Sequence, residues 1–128
     1  MCITKNKEAG IMQKISAFEK ADRTKGFKEQ GLNGNIYWAY QYSQEAGSEL
    51  LNFGENIEKG DIEEIVKFCR EQGLKEFTIS SGFSGLIKTL EAFEKLGCKM
   101  NGLTRIPIRF VNYETGEHYT AAAIKMSL

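Results

Sequence analysis

The side chains that could carry out chemistry in this chain are few, and their spacing matches no catalytic pattern. The only histidine, His118, follows a glycine turn and precedes an extended segment, which is typical of an exposed hairpin residue. No serine, histidine and carboxylate triad can be assembled around it from the sequence. The three cysteines, Cys2, Cys69 and Cys98, include no Cys-x-x-Cys pair. We therefore predict reduced structural cysteines, no disulfide framework and no metal site.

Two further features could bind an anion or move a proton. The segment 80–85, Ser-Ser-Gly-Phe-Ser-Gly, lies between a predicted strand and a predicted helix, where successive amides could hold an anion. It has neither the Gly-x-x-x-x-Gly-Lys-Ser/Thr pattern nor a lysine, so a plain turn is the prediction. Glu49 and Glu55 could act as general bases. Ordinary surface carboxylates explain both of them, and we assign no catalytic residue.

Charge is concentrated in residues 45–64, which we call the acidic block. It holds one basic residue, Lys59, and seven acidic ones: Glu45, Glu49, Glu55, Glu58, Asp61, Glu63 and Glu64. The block is either a solvated surface or a surface that meets a basic partner. No basic stripe of the kind that neutralises phosphates is evident, so direct nucleic-acid binding is not expected.

Residues 35–42 are rich in aromatic and β-branched side chains and predict a strand, which residues 44–48 connect to a return strand at 49–53. On such a strand Tyr37 faces one side, while Trp38, Tyr40 and Tyr42 share the other. One face then belongs to the core. The other is a candidate recognition surface, because tyrosine and tryptophan are favoured interface anchors.

The remaining elements follow from periodicity and from start and stop signals. Helices are predicted at 8–21, at 61–73 with Asp61 and Glu64 as a capping box, and at 86–97 with a core stripe of Ile87, Leu90 and Phe93. A strand is predicted at 76–80 and a hairpin at 103–111 and 119–126. Helices that alternate with strands favour an α/β sandwich.

The composition sets broad limits on the protein. With 128 residues and 41% hydrophobic content, the chain predicts a single domain, residues 1–128, with its own core. It contains no apolar run of the roughly 20 residues that a membrane span needs, and no secretory signal is evident. We therefore expect a cytoplasmic protein that does not enter a membrane.

Residues 92–98, Ala-Phe-Glu-Lys-Leu-Gly-Cys, resemble the Leu-Tyr-Glu-Lys-Leu-Gly-Phe signature of the GNAT acetyltransferase superfamily. The likeness extends over about residues 50–126 through the order of strands and helices. It implies a GNAT-like α/β sandwich with a mixed, mostly antiparallel sheet and a C-terminal β-hairpin. It also implies that acetyl-CoA, if bound, would lie against the loop before the central helix, at Glu55, Asn56, Ile57, Lys59 and Gly60.

The same comparison implies that the usual chemistry of the family is lost. Family members have a glycine-rich loop where this chain has Glu55 and Glu58. A carboxylate about 5 Å from a pyrophosphate charge costs on the order of 3 kcal/mol at a surface-like dielectric. The family's asparagine falls near Leu86, and its tyrosine, often the general acid, aligns with Phe93, which has no titratable proton.

We therefore predict a catalytically degenerate GNAT-like protein that needs no cofactor and binds another protein with a basic surface. The residues predicted to bind this partner are Glu45, Glu49, Glu55, Glu58, Tyr37 and Tyr40. Resemblance to small accessory proteins of phages and mobile elements implies an inhibitor of a host defence complex such as CRISPR-Cas. Two alternatives stay open: an atypical N-acetyltransferase that uses acetyl-CoA, and a protein that binds a small molecule between splayed central strands.

Overall fold

The computed structural model describes residues 16–22, 24–54, 57, 59–80 and 85–128. Its helices are α1 (Ser16–Glu19), α2 (Gly34–Ala46), α3 (Ile62–Glu71) and α4 (Leu86–Lys95). Its strands are β1 (Asn52–Phe53), β2 (Glu76–Ile79), β3 (Lys99–Val111) and β4 (His118–Ser127). Short 3-10 helices, Lys28–Gln30 and Lys59–Asp61, precede α2 and α3.

The four strands form one mixed sheet in the order β1-β2-β4-β3. β1 runs parallel to β2, and the two other neighbouring pairs are antiparallel. The predicted α/β class with a mostly antiparallel mixed sheet is confirmed at this level. Within the described residues, no helix has the length and apolar character required to cross a membrane.

Helix α2 replaces the strand predicted for residues 35–42, and that prediction is wrong. Of the return strand predicted at 49–53, Asn52–Phe53 is a strand, β1, but it pairs with β2 and not in a hairpin. The Asn33 side chain caps the helix by accepting a hydrogen bond from the Ile36 backbone N–H at 3.1 Å. Gly47, with φ of 75°, ends it in the left-handed conformation that glycine tolerates. Buried residues recur with helical spacing along one face, as at Ile36, Tyr40 and Ser43.

The burial of α2 also corrects the placement of two predicted partner-binding residues. Tyr37 is 1% exposed and Tyr40 is 0% exposed. Phe18 packs on both rings, with centroids 5.6 and 5.2 Å away. The Tyr40 hydroxyl donates to Glu19 Oε2 at 2.7 Å. These tyrosines hold α1 and α2 together, so neither ring is available to a partner in this conformation.

The predictions for residues 61–97 hold for the elements but not for every residue. α3, β2 and α4 are observed, and Phe93 is fully buried with its ring 5.3 Å from that of Phe77. Ile87 does not join the core stripe, because its side chain is 81% exposed. Asp61 forms no side-chain capping bond at the start of α3. Of the helix predicted at 8–21, residues 8–15 lie outside the described residues.

The two cysteines that the structure describes are buried and free. Burial raises the pKa of the Cys69 thiol to about 12. Burial also raises the pKa of Cys98, and the nearby Arg70 guanidinium partly opposes that rise. Neither thiol is an activated nucleophile, since the thiolate is the reactive form.

β3 and β4 pair antiparallel, and residues 112–117 connect them. Only Ile124–Ser127 of β4 pairs with β2. The earlier part of β4 pairs with β3 and extends beyond the end of β2. The pairing is interrupted twice, between Met100 and Leu103 and between Pro107 and Val111. α2 packs against β3, which leaves a cleft between this helix and the second interruption.

Candidate functional site: a cleft at the ends of the parallel strands

The cleft lies where the two parallel strands end. Gly54 follows β1, Ser80 follows β2, and the cleft opens between these ends, α2 and residues 107–110 of β3. Its volume is about 240 Å³. Ligands in α/β sheets characteristically bind outside the carboxyl ends of parallel strands, because the backbone diverges there. The position alone therefore makes the cleft a candidate binding site.

A polar network forms the floor of the cleft. Asn52 donates from Nδ2 to Ser80 Oγ at 3.0 Å, and its Oδ1 accepts from Thr78 Oγ1 at 2.8 Å. The Asn52 backbone N–H donates to Ser43 Oγ of α2 at 2.9 Å. A Cβ added to Gly54 would lie 3.3 Å from Ser80 Oγ, so a larger residue would disturb this floor. Asn52 therefore fixes β1, β2 and α2 relative to one another.

Aromatic side chains and one arginine form the mouth of the cleft. The Arg109 guanidinium carbon lies 4.3 Å from the ring centroid of Tyr42 and 4.8 Å from that of Phe110. The Trp38 ring lies 5.7 Å from the Tyr42 ring. Trp38 is 37% exposed and Phe110 is 59% exposed. Both contacts have cation–π geometry, and they hold the guanidinium against aromatic side chains at the exposed end of the cleft.

Asp61 lines the cleft near the start of α3 and is bonded to amides. Its Oδ2 accepts from Asn35 Nδ2 at 2.7 Å, and its Oδ1 accepts from Asn33 Nδ2 at 3.2 Å. Asp61 does not cap α3 because both of its carboxylate oxygens accept hydrogen bonds from side chains at the start of α2. Asp61, Tyr42 and Arg109 are the titratable side chains among the described lining residues.

Described residues from the predicted acetyl-CoA loop lie at or near the cleft. Ile57 is 8% exposed and lines it. Gly60 is exposed, and the Lys59 backbone belongs to the 3-10 helix before α3. Glu55, Asn56 and Glu58 lie outside the described residues. No group of three or more histidine, cysteine or acidic side chains that could hold a metal ion occurs in the described part of the chain.

The remaining predicted partner-binding residues lie at the end of α2. Glu45 and Glu49 are exposed, as surface carboxylates must be to meet another molecule. The two positions that the GNAT resemblance aligns with catalytic groups do not line the cleft. Phe93 is packed in the core against Phe77, and Leu86 is half-buried at the start of α4. No proton donor stands at either position.

Sequence reasoning missed Ser43, Asn52, Thr78 and Arg109. The spacing of Thr78 and Ser80 could have shown that their side chains share a face, because residues two apart on a strand point to the same side. The other residues carried no such signal, because their neighbours in space are distant in sequence. Arg109, for example, meets Tyr42 across 67 positions.

The part of the chain that forms the cleft is also the part that is similar to a known family. No curated protein and no solved structure matches the chain. A family model described as a domain of unknown function, DUF7698, matches residues 35–128. This match begins in α2 and includes every described residue that lines the cleft. Because it covers more than half of the sequence, the chain belongs to the DUF7698 family.

Proposed function

We propose that this protein is a GNAT-like domain that binds a protein partner and does not transfer acyl groups. The observation that carries the proposal is the burial of Phe93, the residue aligned with the family's general acid. It is 0% exposed, has no titratable proton and packs against Phe77. A parallel strand pair followed by an antiparallel one supports the resemblance over residues 50–126.

Two kinds of exposed side chain support partner binding. Glu45, Glu49 and Glu63 of the acidic block are exposed and can meet a basic surface. Large apolar side chains are exposed on β3, β4 and their connection: Met100, Leu103, Phe110, Tyr113 and Tyr119. Each of them is more than half exposed. Exposed apolar side chains mark an interaction surface where they form a contiguous patch. The narrower role of inhibiting a host defence complex such as CRISPR-Cas rests on the resemblance alone.

A thermal melt with acetyl-CoA and with CoA tests the non-catalytic part of the proposal. We expect both compounds at millimolar concentration to leave the melting temperature unchanged. A ligand at a hundred times its dissociation constant would stabilise the fold by about 2.7 kcal/mol, which a melt detects. A rise of several degrees with acetyl-CoA would favour the alternative, an atypical N-acetyltransferase.

Charge reversal tests the acidic block against a captured partner. Glu45→Lys with Glu49→Lys should slow association and weaken its dependence on salt, because complementary charges act mainly on encounter. Glu91→Lys with Glu94→Lys, at exposed positions of α4, is the matched control. Equal association rates for the parent and both double variants would reduce the acidic block to a solvated surface.

A further inference from the structure

We propose that the cleft is a binding site for a small, flat monocarboxylate whose ring lies against Trp38 and Phe110 and whose carboxylate pairs with Arg109. This site does not depend on the acidic part of the proposed protein-binding surface, although Phe110 is also one of the exposed apolar side chains named for that surface. It needs neither the exposed carboxylates at the end of α2 nor a protein partner.

The arrangement of Arg109 indicates that the cleft can bind an anion. Its guanidinium carbon lies over the Tyr42 ring, 4.3 Å from the centroid, and over the Phe110 ring, 4.8 Å from the centroid. The N–H groups of a guanidinium form a planar fork that matches the two oxygens of a carboxylate. No carboxylate in the described part of the chain forms an ion pair with Arg109. An arginine that lies against aromatic rings at the mouth of a cleft, with no carboxylate paired to it in the described part of the chain, is suited to an anion from outside.

The surrounding surface specifies the rest of the ligand. The partly exposed Trp38 and Phe110 rings offer apolar area beside the cation. A flat, unsaturated body would bury this area through offset or edge contacts. At the floor, Ser80 Oγ accepts from Asn52 but has no hydrogen-bond acceptor among the described residues. That hydroxyl can donate to a polar substituent on the ligand.

The size and charge of the cleft favour a small ligand with one negative charge. The volume of about 240 Å³ lies below the roughly 300–1,000 Å³ typical of drug-sized sites, which favours a ligand with one ring. Asp61 and Arg109 are the charged residues among the described lining, so their formal charges cancel. Among the described lining residues, the presence of one arginine and no lysine favours a single carboxylate over a phosphate group with two negative charges.

The chain provides its own reporter for the test. Trp38 is the only tryptophan in the sequence and lines the cleft, so intrinsic fluorescence reports on occupancy. The probes are benzoate, phenylacetate and 4-hydroxyphenylacetate. Phenylacetamide keeps the ring without the charge, and acetate keeps the charge without the ring. We expect at least one aromatic acid to change the fluorescence saturably and raise the melting temperature, and both control compounds to do neither at equal concentration.

Variants of two arginines distinguish the site from general surface binding. Arg109→Gln should weaken the aromatic acid about tenfold or more, and Arg109→Lys should restore only part of the affinity, because it keeps the charge without the fork. Arg105→Gln should bind like the parent, since Arg105 is exposed and bonds to Thr120 outside this cleft.

Several outcomes would overturn the proposal. One is that none of the three acids changes the fluorescence, and another is that phenylacetamide binds as tightly as phenylacetate. Equal weakening by the Arg105 and Arg109 variants would show that general surface charge is responsible. A fluorescence change with acetyl-CoA and none with the acids would assign the cleft to the acyl-CoA alternative. Because Arg109 is exposed, its variants should melt like the parent and remain testable.

Discussion

The side of the sheet that α3 and α4 cover differs sharply from the outer part of β3 and β4. Around β2, Phe77, Phe93 and Cys69 are all 0% exposed. On the outer strands, Leu103 is 80% exposed and Tyr113, in the connection between them, is 96% exposed. Hydrophobic residues thus serve two purposes in one small protein. Those around β2 hold the fold, and those on the outer strands are free to contact other molecules.

The largest expected effect is on the covered side. Phe93→Ala should destabilise the protein by about 3–5 kcal/mol, because it removes a fully buried ring and leaves a cavity. Chemical denaturation measures the change. Ile87→Ala, on the same helix but 81% exposed, is the control and should stay within about 0.5 kcal/mol of the parent. Similar losses for the two variants would show that the two faces of α4 are not distinct.

An intermediate effect is expected at the floor of the cleft. Asn52→Ala should cost about 1–3 kcal/mol, because it leaves the hydroxyls of Thr78 and Ser80 without their partner. Asn101→Ala removes an exposed bond to Glu76 and should cost much less. The same denaturation experiment compares them. If Asn52→Ala unfolds at the parent's denaturant midpoint, the polar network contributes nothing to holding the parallel strands.

The smallest effect is expected on the outer strands. Leu103→Ser combined with Tyr113→Ser should change the free energy of unfolding by no more than about 0.5 kcal/mol, since both side chains are already in water. A loss of 2 kcal/mol or more would mean that these residues pack against part of the protein. The comparison between the two regions would then fail.

Local patterns were sufficient to predict the central elements. The apolar spacing in α3 and α4, and the glycines that follow them, depend on neighbours within a few residues, so α3, β2 and α4 appear where expected. α2 was mispredicted because its aromatic residues favour strands in general. Here, packing of Tyr37 and Tyr40 against Phe18 overrides that preference.

The cleft depends on contacts that no local pattern contains. Asn52 meets Thr78 and Ser80 only because β1 pairs in parallel with β2, at the register Asn52–Thr78. Arg109 reaches Tyr42 only because α2 is a helix that packs on β3. Once residues 35–42 were predicted as a strand, neither set of contacts could be anticipated. One residue of the predicted acetyl-CoA loop, Ile57, lines the cleft.

The edges of the sheet bear on behaviour at high concentration. Among the described strands, one edge of the sheet is β1, with two residues, and the other is β3, which contains Pro107 and has two interruptions in its pairing with β4. A proline has no N–H to donate, and irregular pairing twists an edge out of the plane that another strand would need. Neither edge is a good template for the addition of a strand from another copy of the chain, which is the step by which a cross-β fibril grows. These edges therefore oppose fibril growth in a protein with exposed aromatic residues.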